Sequence, residues 1–117
     1  MVRVTDGFVL SNLRSTTTGV EGAILWVAAG EFDDADRTQG PRIMVVLGDN
    51  ISADRLKDAV VVLLTKAPVV MGSLPGEIER QVVAFVEANR EVLLRYWTGE
   101  MSTREMIELV QPIKARR

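Results

Sequence analysis

Near residue 73 the hydrophobic period of this chain changes, and that change limits the fold more than any other feature. Before it, apolar residues come as short unbroken runs. Ala23-Ile24-Leu25-Trp26-Val27-Ala28-Ala29 lies between Gly22 and Gly30, and Ile43-Met44-Val45-Val46-Leu47 between Pro41 and Gly48-Asp49-Asn50. Runs of that length between turn residues suit buried strands better than helices. After it, Ile78, Val82, Phe85, Val86, Val92, Leu93, Tyr96 and Trp97 recur at steps of three and four, one stripe of an amphipathic helix. Strands first and helices after argue against an alternating β-α-β chain. The expected class is α+β: a mostly antiparallel sheet of three to five strands within residues 1–72, packed against one long helix, plus a short C-terminal helix.

The finer reading follows the punctuation. Val2 and Val4 suggest an opening strand, Asp6-Gly7 a turn and Phe8-Val9-Leu10 a short return, while Ser15-Thr16-Thr17-Thr18-Gly19 reads as a polar loop. The runs at 23–29 and 43–47 form an antiparallel hairpin with a long charged tip. Residues 51–67 admit two readings. Ser52 suits a helix cap before Ala53-Asp54-Arg55-Leu56-Lys57, yet Val60-Val61-Val62-Leu63-Leu64-Thr65 is β-branched and apolar on both faces, as in a buried strand. A short helical turn near 53–57 followed by a strand reconciles them, and Val69-Val70-Met71 adds one more strand after Pro68. The long helix runs from about Pro75 to Trp97, with Ser73 at capping distance and Glu77 and Glu79 near the positive end of its dipole. Ser102 and Glu105 form a capping box before a short helix that Pro112 stops. One domain over 1–112 with a basic tail over 113–117, expected to fray, is the resulting division.

Composition then removes whole classes of chemistry. The 117 residues include no cysteine and no histidine. Thiol nucleophiles, disulfides, Cys-ligated metals, Ser-His-Asp triads and His-based metal centres are excluded together. A net charge of −2 argues against a dedicated nucleic-acid binder. The first seven residues reach a turn signal too early for a secretory leader, and stretches such as Ala59 to Leu64 are far too short to span a bilayer. A cytoplasmic bacterial protein without membrane or cofactor is expected.

Several groups qualify as candidate sites. The acidic stretch Glu31-Phe32-Asp33-Asp34-Ala35-Asp36 offers oxygen ligands for a hard divalent cation through Asp33, Asp34 and Asp36, although it lacks the alternating spacing of a calcium loop; the plainer reading is a solvated hairpin tip. Gly48-Asp49-Asn50 with Ser52 has too few glycines to cradle phosphate and reads as a turn. Tyr96 and Trp97 are candidates for a protein-binding patch, set against a core role at helical spacing.

The matching segments Pro41-Arg42-Ile43-Met44-Val45-Val46-Leu47-Gly48-Asp49, Gly72-Ser73-Leu74-Pro75 and Asn89-Arg90-Glu91-Val92-Leu93-Leu94-Arg95-Tyr96-Trp97 resemble a small bacterial domain-of-unknown-function family. Its members carry a "PPHFHV…G" strand and an "REELL…W" helix and often lie beside antitoxin-like or small regulatory genes. The resemblance covers roughly residues 24–97. The family's histidines would fall near Thr38, Arg42 and Met44, so no functional residue carries over. The functional expectation is a small non-enzymatic interaction or regulatory module acting on a protein partner, with a homodimer as one candidate assembly. The alternative is a divalent-metal-assisted enzyme using Glu31 to Asp36.

Overall fold

The computed structural model of the protein describes residues 9–29, 41–48 and 51–113. The expected strand and turn at 2–7, the acidic stretch and the basic end 114–117 lie outside the described residues. Five strands, β1 (Val9–Leu13), β2 (Ala23–Ala29), β3 (Arg42–Leu47), β4 (Val60–Leu63) and β5 (Val69–Met71), pair antiparallel in the order β1-β2-β3-β4-β5. Each strand therefore lies beside its neighbour in sequence. The long helix α2 (Gly76–Trp97) and the short helix α3 (Thr103–Leu109) follow. The class is α+β, with sheet and helices in the order the hydrophobic period requires.

Register decides which side chains meet. Residues opposed across antiparallel strands share a face, so Leu13, Leu25, Val45 and Val60 form one row and Ser11, Val27, Ile43, Val62 and Val70 the next. These rows make the inner face. The stripe of α2 packs on it through Val82, Phe85, Val86, Leu93 and Tyr96, in one cluster with Met106 and Val110 from the C-terminal region. Burial of each large apolar side chain there contributes about 1.5–3 kcal/mol.

Residues 15–18 correct the expected loop. They form a single helical turn, α1 (Ser15–Thr18), closed by Gly19 at φ 78, whose N–H donates to the Ser15 carbonyl at 2.7 Å. Four polar residues carry no apolar period to announce a helix. What holds the turn is in part tertiary: Thr18 is buried and its carbonyl accepts from the distant Ile113 N–H at 2.9 Å, while its hydroxyl accepts locally from the Val20 N–H at 3.0 Å.

The mixed reading of 51–67 is the observed one. Ser52 Oγ accepts from the Asp54 N–H at 3.2 Å and opens a 3-10 helix (Ala53–Asp58), after which β4 begins. At α2 the sequence misleads at one end. Pro75 occupies the N-cap with no capping side chain, and Ser73 is exposed; the buried Leu74 orients this connection instead. The capping box of α3 forms as read, with the Ser102 N–H donating to Glu105 at 2.8 Å and Ser102 Oγ accepting from the Glu105 N–H at 3.1 Å. That helix ends at Leu109, short of Pro112.

Candidate interaction surface

The opposite face of the sheet is apolar too. Its rows are Ile24 with Val46; Asn12, Trp26, Met44, Val61 and Met71; and Arg42, Leu63 and Val69. The alternation that would place polar residues here is missing from β2, β3 and β4, whose runs are apolar at nearly every position. An antiparallel sheet that turns one face to water ordinarily shows polar side chains on it.

Cover on this outer face is partial. Ile24, Trp26 and Val46 form a small buried cluster, with Met44 and with Leu56 and Ala59 from the 3-10 helix region packed against it. Along the central row, exposure climbs from 6% at Trp26, through half-buried Met44 and Val61, to 50% at Met71. Leu63 is half-buried and Val69 is 43% exposed. The indole N–H of Trp26 is buried with no hydrogen-bond partner among the described residues, and leaving a buried donor unmade costs about 1–3 kcal/mol.

The two aromatic candidates at the end of α2 part company. Tyr96 is buried in the inner core, and its hydroxyl lies 2.9 Å from Ser11 Oγ and 2.7 Å from Thr103 Oγ1, joining β1, α2 and α3. Trp97 is half-buried, with the Arg42 guanidinium 5.5 Å from its ring centroid. That stacking of a cation on an indole face ties the start of β3 to the end of α2. Nearby, Arg90 Nε donates to the Leu64 carbonyl at 3.0 Å and closes the end of β4.

A cavity of about 310 Å³ opens between Arg14, Ser15, Thr16, Gly22, Ala23, Ile24 and Gly48. Arg14 is the one ionisable group among these lining residues. The candidate cation ligands Asp33, Asp34 and Asp36, and Asp49 in the turn after β3, lie outside the described residues. Among the described residues no group of three or more acidic side chains is placed to hold a metal ion. No helix among them is long and apolar enough to cross a membrane.

No family model matches the chain, and no curated protein or solved structure shows significant similarity to it.

Sequence reasoning did not single out Val69 and Met71, because three residues carry too little pattern to assign a face. The usable signal lay next door: Val60 to Leu64 lacks alternation, so both faces of β4 need cover, and β5 is paired to that strand.

Proposed function

We propose that this chain is a non-enzymatic interaction module that associates with a second copy of itself through the outer face of β4 and β5 and the edge that β5 leaves unpaired among the described residues. The observation that carries the reading is the apolar row whose exposure rises to 50% at Met71. Contiguous apolar surface on a sheet marks a place where another surface packs. A second copy suits it because β5 pairs only with β4 among the described residues, and an antiparallel edge strand meets its own copy across a two-fold axis with the same residues on both sides. Val69-Val70-Met71 carries no charge that would oppose such pairing.

Sedimentation velocity at about 1 to 100 μM, where an association of roughly 5–8 kcal/mol is half-formed, tests the reading. Dimers are expected, and Val69→Lys combined with Met71→Glu is expected to return monomers with an unchanged circular dichroism spectrum. A wild-type protein that stays monomeric across the range defeats self-association. A double variant that still dimerises moves the interface elsewhere.

A further inference from the structure

After α3 the chain runs back over the body of the protein, and one side chain grips it. The Gln111 N–H donates to Oδ1 of Asn89 at 2.6 Å, and the Gln111 carbonyl accepts from Nδ2 of the same residue at 2.9 Å. Nδ2 also donates to the Phe85 carbonyl, one turn back, at 2.9 Å. Farther along, the Ile113 N–H donates to the Thr18 carbonyl at 2.9 Å. A Cβ on Gly19 would stand 2.1 Å from the Ile113 carbonyl oxygen, so this seat exists only for glycine. Asn89 is buried, and it is also the position where α2 leaves helical geometry, at φ −120 and ψ 15. The residue that clasps the strap is the residue that kinks the helix.

We propose that the strap 110–113 and the kink at Asn89 are one two-state device: the seated strap holds Asn89 out of helical geometry, and release lets α2 close into a continuous helix. Released, the Asn89 amide meets water, which replaces the bonds it made to Gln111, so little polar energy opposes opening. Val110, buried, and Ile113, partly buried against the core, are the apolar side chains that leave with the strap, while Met106 on α3 stays in the cluster with the α2 stripe. A ligand that favours either shape of α2 shifts strap occupancy by its difference in affinity for the two.

The test uses the full chain and Gln111→Pro, which deletes the N–H that Asn89 accepts and suits the extended Val110 before it (φ −67, ψ 144). At least a tenfold loss of Ile113 amide protection is expected, together with a shift of the Asn89 Cα resonance to its helical value and unchanged protection in β2 and β3. Loss of protection without the Asn89 shift, or neither change, overturns the coupling. Wild-type native-state hydrogen exchange covers the case in which the variant does not fold. There the Gln111 and Ile113 amides are expected to open together and below the β2 and β3 amides; opening only with global unfolding overturns the device.

Discussion

Val61 and Val62 are chemically identical neighbours on β4, yet Val62 is fully buried under α2 and Val61 is only half-buried on the other side of the sheet. Both belong to a run with no polar interruption. Parity sends one to a face closed by a helix of 22 residues and the other to a face where a 3-10 helix covers the β2–β3 end and leaves β4 and β5 open. Residue type makes a side chain fit to be buried; the length and position of the covering element decide whether it is. In this protein the supply of apolar surface exceeds the cover that the described residues provide.

The contrast can be broken hardest at the centre of the inner face. Phe85→Ala is expected to cost about 3–5 kcal/mol, seen as a large fall in the urea midpoint; a loss below about 1 kcal/mol would mean that the inner face is not the main core. Next comes the paired test on β4. Val62→Ala is expected to cost about 2 kcal/mol and Val61→Ala about half that in dilute monomer, in proportion to apolar area removed from water. Equal losses would erase the distinction between the faces. Tyr96→Phe removes the hydroxyl bridging Ser11 and Thr103, and a loss of about 1 kcal/mol in thermal or urea unfolding is expected. Met71→Lys is expected to change monomer stability by no more than about 0.5 kcal/mol while weakening self-association in sedimentation, which separates a surface role from a core role. The smallest effect is expected from Asp33→Asn with Asp34→Asn and Asp36→Asn: stability within about 0.5 kcal/mol and negligible heat from Mg²⁺, Mn²⁺ or Ca²⁺ in calorimetry before and after the change. Binding that the three substitutions abolish would revive the metal-assisted alternative.

Most of the strand and helix order was legible because each element announces itself locally. Glycines bound the run at 23–29, three- and four-residue steps mark α2, and Ser102 with Glu105 marks α3. The misses are places where distant residues decide. The α1 turn depends on the buried Thr18, and the start of α2 on Leu74 seated in the core, neither of which leaves a periodic trace. Asn89 shows the same limit. It falls on the apolar stripe, four residues after Phe85 and four before Leu93, where a polar amide is out of pattern, but its partner at Gln111 is visible only in the folded chain. The candidate surface was half legible. Val60 to Leu64 declared that both faces of β4 are apolar, and nothing in the string could say which face α2 would take.

The meander order of the strands bears on how the protein is made. Every strand finds its neighbour among residues that have just left the ribosome, so the sheet can grow by successive hairpins in the direction of synthesis, without waiting for distant segments. The helix that closes the inner face is translated after all five strands. Until Trp97 emerges, the inner face of the nascent sheet is bare and the outer face has only the cover of the 3-10 helix region, and it is in that interval that a chaperone or a neighbouring nascent chain would find it stickiest.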